Sequence, residues 1–156
     1  FNAERQVLEY TEHFYGPAAR HARRLAADDC AAARELAVWK QRVLANWPKV
    51  AVTLVQGPPP TLRAGDRFRL AIAVDLQQLV AGDVCVECQI GVSDGNGGFT
   101  TREHVELTAA GDHNGHAQFA TEIATGLSGL ASLRVRVYPR HTLLAHRFEM
   151  GRVRWL

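Results

Sequence analysis

The sequence lacks most of the features by which membrane and nucleic-acid-binding proteins are recognised. It contains one methionine, Met150, and two lysines, Lys40 and Lys49, among eighteen basic residues. No apolar run approaches the roughly 20 residues that a membrane-spanning helix requires. The net charge is +2, and neither half of the chain carries the basic excess expected of a nucleic-acid-binding domain. We therefore expect a chain that binds neither a membrane nor a nucleic acid.

Cysteine is scarce, and its use points to a reducing compartment. There are three cysteines, an odd number, and no secretory signal pattern, which favours a cytoplasmic location. Cys85 and Cys88 have the C-x-x-C spacing of redox and zinc sites, but they stand in an alternating strand pattern. Residues three apart on a strand point to opposite faces, so no disulfide or shared metal is expected. We predict that Cys88 is a core residue and that Cys85 has no role.

Motifs of catalysis and cofactor binding are also missing. The sequence has no G-x-S-x-G elbow, no H-E-x-x-H pair and no glycine-rich phosphate loop. Asp112, His113 and His116 offer carboxylate and imidazole ligands for a metal, but two or three ligands in a turn make a poor cage, and a solvated turn is the preferred interpretation. We therefore predict no catalytic residue, no cofactor-binding residue and no metal ligand in this chain.

The pattern that is present begins with helical spacing in residues 1–48. Asn2 can cap a first helix, Gly16-Pro17 is expected to end it, and a second helix should run to about Ala27. Asp28 or Asp29 can cap a third helix, which Pro48 ends. One apolar face of that third helix comprises Leu36, Trp39, Val43, Leu44 and Trp47.

After Pro48 the hydrophobic period changes from helical spacing to two, which is typical of strands. Seven strands are predicted, separated by turns rich in Gly, Pro, Asn and Asp. Their expected ranges are 49–55, 67–75, 84–92, 99–107, 116–123, 133–138 and 148–155. The fold class predicted is α+β: about three helices followed by a seven-stranded antiparallel immunoglobulin-like β-sandwich. The expected domains are a helical connector, 1–48, and an accessory sandwich, 49–156.

The first fifteen residues are interpreted as a helix that follows other protein. They contain no start methionine and no signal layout. Detached from that protein, the helix should expose an apolar face at Val7, Leu8 and Phe14. Such a face would favour a homodimer through the first helix.

Both ends of the chain resemble one enzyme family. Phe1, Glu4, Arg5, Tyr10 and Tyr15 are similar to the closing helix of glycogen and maltodextrin phosphorylases. Residues 133–139, followed by His141, His146 and Trp155, resemble the terminal strands of bacterial α-glucan phosphorylases that carry an extra β-domain. Three further residues, Ala37, Trp39 and Lys40, resemble their connecting helix.

The resemblance implies a parent enzyme that transfers glucosyl units from an α-1,4-glucan to phosphate with pyridoxal phosphate. The cofactor lysine and the phosphate-binding residues of that family belong to its catalytic lobes, and neither Lys40 nor Lys49 stands in a similar motif. The chain would then be a non-catalytic C-terminal accessory region without a cofactor of its own. Its partners would be the catalytic lobes of the parent chain and an α-glucan.

One charged pattern near the end of the chain suggests a docking face. Arg134 and Arg136 alternate with apolar residues, and Arg152 and Arg154 do the same. If the last two strands are neighbours, the four guanidinium groups would share one outward face, where like charges need compensation. Three explanations stay open: carboxylates of the same domain or plain solvation, an acidic docking partner, or a bound anion.

Two other functions are kept as alternatives. A carbohydrate-binding module would present a platform of exposed aromatic rings on its sheet, but Trp39 and Trp47 lie on the helical stripe and Trp155 shares the inward alternation of Val153. An immunoglobulin-like protein-interaction module would explain the strands but not the helical beginning.

Overall fold

A computed structural model describes residues 3–63, 65–124, 126 and 130–156. A helical segment is followed by a seven-stranded antiparallel sheet, which confirms the α+β class. The predicted helix cap at Asn2, the family position Phe1 and most of the turn expected at 126–129 lie outside the described residues. No helix in the described ranges combines the length and the hydropathy needed to cross a membrane.

The sequence predicts that the first helix ends at Gly16-Pro17, but the helical segment continues through these two residues. Helix α1 covers Ala3–Tyr10, a π-helical turn covers Thr11–Tyr15, and α2 covers Gly16–Asn46. The amide of Gly16 donates to the carbonyl of Thr11, five residues back. A π-helical turn contains one residue more than an α-helical turn. Such a turn interrupts the regular hydrogen-bond pattern locally, but the helix continues beyond it. Three separate helices are therefore not confirmed.

The break in the helical segment comes at Ala27–Cys30, beside the boundary predicted at Asp28 or Asp29. Asp28, Asp29 and Cys30 have φ angles of 50°, 53° and 59°, which is the left-handed region. Left-handed backbone costs roughly 1–2 kcal/mol for each residue that carries a Cβ. We call residues 27–30 the left-handed turn, residues 16–26 the outer part of α2 and residues 31–46 its inner part.

All seven predicted strands are found, and five of them lie close to the predicted ranges. A 3₁₀ turn at Trp47–Lys49 leads from α2 into the sheet, whose order is β1-β2-β5-β4-β3-β6-β7. The strands are β1 Ala51–Gln56, β2 Arg67–Asp75, β3 Val84–Ser93, β4 Phe99–His113, β5 His116–Ala124, β6 Ser132–Pro139 and β7 Arg154–Trp155. The last strand is much shorter than predicted, because the amide of Gly151, at φ +57°, bonds to the carbonyl of Phe148 and closes a turn there.

An immunoglobulin-like sandwich is not confirmed, because the strands form one continuous sheet. Strand β4 is fifteen residues long and extends beyond its predicted end at Leu107 to His113. Its first half pairs with β3, and its second half, from Thr108, pairs with β5. A bulge between Ala109 and Gly111 marks the second half, and bulges increase the bend of a strand. The sheet therefore curls around its core into a near-barrel, and β1 approaches β7.

The core lies inside the curled sheet and continues onto the inner part of α2. On β2, the predicted inward residues Phe68, Leu70, Ile72 and Val74 are all buried. From α2 and the 3₁₀ turn after it, four residues of the predicted stripe are buried against the same cluster: Leu36, Trp39, Val43 and Trp47. Each such side chain contributes roughly 1.5–3 kcal/mol. Leu44, expected on that stripe, is 45% exposed.

Candidate functional site

A buried carboxylate organises the outer face of the sheet. Glu87, in the middle of β3, is 5% exposed although its side chain points away from the core. Arg136 Nε donates to Glu87 Oε1 at 2.8 Å, and His104 Nδ1 lies 2.9 Å from the same oxygen. Tyr138 donates its hydroxyl to Oε2 at 3.3 Å, and Arg147 lies 3.4 Å from Oε2. We call these five residues the Glu87 cluster.

The cluster keeps Glu87 ionised. Burial alone would raise the pKa of Glu87, but the contacts from His104 and Arg136 outweigh it and lower that pKa below its ordinary value. The Arg136 guanidinium also lies near the rings of Phe148, at 4.8 Å, and Tyr138, at 5.6 Å. A cation between aromatic rings and a carboxylate is held from several sides, so Arg136 is fixed in place.

The four arginines predicted to share one face do not do so. Arg134 and Arg136 lie on the outer face of β6, where Arg134 stacks over the Phe99 ring at 4.3 Å. Arg154 stands opposite Val137, a core residue, and therefore points to the other face. Arg152 lies before β7, outside any strand. The pairing of Arg136 with Glu87 agrees with the first of the three explanations, a carboxylate of the same domain.

Arg154 has a structural task at the end of α2. Its Nη2 donates to the carbonyls of Trp47, at 3.4 Å, and Pro48, at 2.8 Å. These carbonyls lie in the 3₁₀ turn that follows α2, where the Trp47 carbonyl also accepts the amide of Val50 at 3.2 Å. A cation near the C-terminus of a helix is also favoured by the helix dipole. The short β7 is thus attached to the point where the helical segment enters the sheet.

Trp155 is on the outer face, contrary to its predicted inward position. It pairs with Arg136 across β6 and β7, and it is 52% exposed. The predicted positions of the other tryptophans are correct, since Trp39 and Trp47 are each 4% exposed. The outer face therefore presents one half-exposed indole beside Arg136.

The two sheet cysteines are both buried, on opposite faces as predicted. Cys88 is fully buried in the core, and burial raises its pKa to about 12. Cys85 is also buried, beside a cavity of about 210 Å³, and burial raises its pKa as well. The arginines of that cavity are already paired, Arg140 with Glu106 and Arg147 with Glu87, so we assign no ligand to it.

A second buried carboxylate fixes α2 on the sheet. Asp83, just before β3, accepts a hydrogen bond from Trp39 Nε1 at 2.7 Å and two from Arg42 Nη2 at 3.0 and 3.1 Å. It also accepts the backbone amide of Val80 at 2.9 Å. A buried charge is tolerated when it is paired and fully hydrogen-bonded. The contacts of Asp83 with Trp39 and Arg42 therefore fix the orientation of α2 on the sheet.

Residues 140–150, which we call the C-terminal loop, lie between the helix and the sheet. Lys40 forms an ion pair with Glu149, and the His141 ring stacks on Trp39 at 4.8 Å. From the outer part of α2, Arg24 donates to the carbonyl of Thr142 at 3.3 Å. Both parts of α2 therefore contact the same loop.

The beginning of the helical segment is uncovered. We call residues 3–15 the arm. None of α1 is buried, and five apolar or aromatic residues of the arm are more than half exposed: Val7, Leu8, Tyr10, Phe14 and Tyr15. The exposure predicted for Val7, Leu8 and Phe14 is thus observed. An apolar face of this kind is the usual mark of an interaction surface.

The chain's own residues do not fit pyridoxal phosphate. A lysine that forms a Schiff base needs a free amine in a cavity, whereas Lys40 is engaged by Glu149. Lys49 is exposed at the end of the 3₁₀ turn. Within the described ranges, no group of three or more His, Cys, Asp or Glu side chains is arranged to hold a metal ion.

Sequence reasoning missed both buried carboxylates. A signal existed for Glu87, which interrupts an otherwise apolar and neutral stretch from Val84 to Val92. A charged residue at such a place indicates a partner on the neighbouring strand. Ala81-Gly82-Asp83 has the composition of a turn, and no local pattern connects Asp83 with Trp39, 44 residues earlier.

Comparisons with known proteins give the family of this chain. Residues 47–156 match the family described as "Glycogen phosphorylase C-terminal domain". The chain is 37% identical to glycogen phosphorylase of Mycobacterium tuberculosis (strain ATCC 25618 / H37Rv) over 155 residues, which is 97% of this chain and 18% of the relative. It is 29% identical to maltodextrin phosphorylase of Thermococcus litoralis over 159 residues, 99% of this chain and 18% of the relative.

The chain therefore spans about a fifth of the length of these relatives. The family match begins at Trp47, whereas the alignments with whole phosphorylases also include the helical segment. The resemblance to α-glucan phosphorylases seen at the two ends of the sequence is confirmed. This chain belongs to the glycogen phosphorylase C-terminal domain family.

Proposed function

We propose that the chain is the non-catalytic C-terminal accessory region of an α-glucan phosphorylase. The parent enzyme would transfer glucosyl units from an α-1,4-glucan to phosphate, with pyridoxal phosphate held by its catalytic lobes, in the cytoplasm. The family membership and the 18% coverage of the relatives support this assignment. The lack of a fit for the cofactor on Lys40 and Lys49 is consistent with it.

The uncovered arm is the observation that carries the proposal. An isolated helix of this length is marginal in water, because most helical stability in proteins comes from packing of an apolar face. The arm has such a face and packs it against nothing in the described part of the chain. The catalytic lobes of the parent are the proposed occupant, because the arm aligns with whole phosphorylases but lies outside the C-terminal domain match.

The same reasoning supports a division near Trp47. Residues 1–48 would be a connector that begins on the catalytic lobes, and residues 49–156 would be the accessory domain. Asp83, Arg154 and the C-terminal loop then fix the direction in which the connector leaves the sheet. The accessory domain would act by its position on the parent, without chemistry of its own.

An activity comparison tests the assignment. The isolated chain and the full-length parent are incubated with maltoheptaose and inorganic phosphate, and release of glucose 1-phosphate is measured. We expect release by the full-length parent and none by the isolated chain. Turnover by the isolated chain, or none by a folded parent loaded with pyridoxal phosphate, would contradict the proposal.

A carbohydrate-binding module is the second candidate, favoured by the half-exposed Trp155. A sugar platform needs ring faces open to solvent, and the rings beside Trp155, those of Tyr138 and Phe148, are occupied by the Arg136 guanidinium. Calorimetry with maltoheptaose on the wild-type chain and on Trp155→Ala separates the two functions. Heat that disappears in the variant would favour sugar binding, whereas no heat in either protein is the result we expect.

A further inference from the structure

The left-handed turn conflicts with its own sequence. Alanines precede it at 26–27 and follow it at 31–33, and alanine is the best helix former. Asp28, Asp29 and Cys30 nevertheless have positive φ, which residues with a Cβ rarely adopt and which local propensity does not favour. A strained conformation of this kind persists when contacts elsewhere impose it.

Those contacts come from the C-terminal loop. Arg24, on the outer part of α2, donates to the Thr142 carbonyl, and Leu25 packs partly against the core. On the inner part, Lys40 pairs with Glu149. The left-handed turn lies between these two sets of contacts.

The loop contacts are compatible with a folded-back helix and not with a straight one. Arg24 bonds to the carbonyl of Thr142, and Trp39 stacks on His141, the residue before it. A straight helix would separate Arg24 from Trp39 by about 22 Å. The left-handed turn therefore brings the outer part of α2 back toward the loop that the inner part already contacts.

We propose that the left-handed turn is a strained hinge, which the C-terminal loop holds in the folded-back state and which straightens into right-handed helix when those contacts are lost. Opening would swing the arm relative to the sheet, because the inner part of α2 stays fixed by Asp83 and the core. The hinge would set the angle between this domain and the protein that binds the arm. It does not depend on the activity proposed for the parent.

Glycine substitutions test the strain by the sign of their effect. Glycine adopts positive φ without steric cost but weakens a right-handed helix. Asp28→Gly/Asp29→Gly should raise the thermal midpoint of the isolated chain by a few degrees, and the control Ala37→Gly, on the exposed side of the inner part, should lower it. A midpoint lowered by the paired glycines at least as much as by the control would mean that positive φ stores no strain at these residues and would overturn the proposal.

A second pair of variants tests what holds the hinge closed. Arg24→Ala/Glu149→Gln removes the contacts on both sides of the turn, while Arg23→Ala alters a side chain that bonds within its own helix, to Ala19. Backbone NMR shifts and couplings report the sign of φ at residues 28–30, and a cooperative thermal transition shows that the sheet remains folded. We expect right-handed values and increased helical circular dichroism in the double variant, and unchanged values in the control. A folded double variant that retains the left-handed turn would overturn the proposal.

Discussion

Two glutamates face each other across β3 and β4, and their surroundings give them different importance for stability. Glu87 and Glu106 are register partners on the outer face of the sheet. The Glu87 side chain is 6% exposed and holds Arg136, which is 12% exposed, whereas Glu106 and its partner Arg140 are each 56% exposed. Removing one partner of a buried pair leaves an uncompensated charge, and an exposed pair contributes little.

We therefore expect Glu87→Gln to lower the free energy of unfolding by about 3–5 kcal/mol. The matched variant Glu106→Gln should cost less than about 1 kcal/mol. Urea unfolding of both variants at neutral pH measures the difference. Equal losses in the two variants would mean that the Glu87 cluster is hydrated in solution and does not organise the outer face.

Gly91 is required by the close approach of β4 where the pairing of β3 with β4 shifts in register, between Ile90 and Gly91. A Cβ built on Gly91 would lie 2.2 Å from the backbone carbonyl oxygen of Thr100, and a backbone atom cannot move aside as a side chain can. We expect Gly91→Ala to lower the free energy of unfolding by about 1–3 kcal/mol, since the strand pair must separate locally. Gly82→Ala is the control, because nothing lies within 4 Å of its built Cβ. A thermal midpoint for Gly91→Ala equal to that of Gly82→Ala would contradict this.

Single-residue placement was the least predictable level from the sequence. The alternation around Arg134 and Arg136 was predicted correctly, but the face of Arg154 depended on where β7 begins and how it pairs. A shift of one residue in register moves every side chain to the other face. The turn at Phe148–Gly151 changes the register of β7 by one residue. As a result, Trp155 points outward and Arg154 points toward the core.

At the scale of elements, strands were predictable and their pairing was not. Alternation gave β2 with its observed bounds, because Phe68, Leu70, Ile72 and Val74 mark one face clearly. The length of β4 was underestimated because Ala109, Ala110 and Gly111 carry no alternating signal, although they continue the strand. Whether seven strands form two stacked sheets or one curled sheet depends on that single continuous strand.

The helical segment shows the same limit. Gly16-Pro17 has the composition of a helix stop, and the π-helical turn that lets the helix pass it has no recognised local signature. Asp28 and Asp29 were predicted as a helix cap, and a boundary is found there. Its left-handed form follows from contacts with the C-terminal loop, far away in the sequence.

The attachment of α2 to the C-terminal loop should weaken in acid. Partial burial alone would raise the pKa of Glu149, but the hydrogen bonds from Lys40 and from the amide of Ala145 lower it below its ordinary 4.5. A carboxyl group whose pKa is lower in the folded state stabilises that state above its unfolded pKa, and this contribution is lost as the pH falls through the folded value. The loss therefore begins at about pH 4.5 and grows below it.

Glu149→Gln isolates that contribution. At pH 7 the wild-type chain should be more stable than the variant by about 0.5–1.5 kcal/mol, the usual range for a hydrogen bond. The difference should shrink as the pH is lowered below about 4.5. Urea unfolding at several pH values measures it, with Glu122→Gln, at an exposed position on β5, as the control. A wild-type advantage that stays constant down to pH 3 would show that Glu149 does not make the attachment.

At the scale of the whole molecule, the buried and the exposed apolar residues are separated along the chain. The core begins with the inner part of α2 and fills the curled sheet, while the arm places its apolar residues outside. A chain that needed no partner would gain nothing from five exposed apolar or aromatic side chains in one short helix. Composition alone could not show this separation, because the 47% hydrophobic content is an average over both regions.

The double variant Val7→Asp/Phe14→Asp tests whether the arm binds the catalytic lobes. In the isolated chain it should leave the thermal midpoint nearly unchanged, because neither side chain is buried, and it should reduce any self-association. In the full-length parent it should lower the free energy of unfolding by roughly 1.5–3 kcal/mol for each side chain that the lobes bury. Calorimetry gives the midpoints, and sedimentation velocity gives the association state.

Val38→Asp is the matched control for self-association, since Val38 is 68% exposed but lies on the inner part of α2. If the arm mediates dimers, Val38→Asp should dimerise as the wild-type chain does. A full-length parent that tolerates Val7→Asp/Phe14→Asp without loss would show that the lobes do not cover the arm. In that case, self-association of the wild-type chain that Val7→Asp/Phe14→Asp abolishes would assign the arm to a contact between copies of the chain.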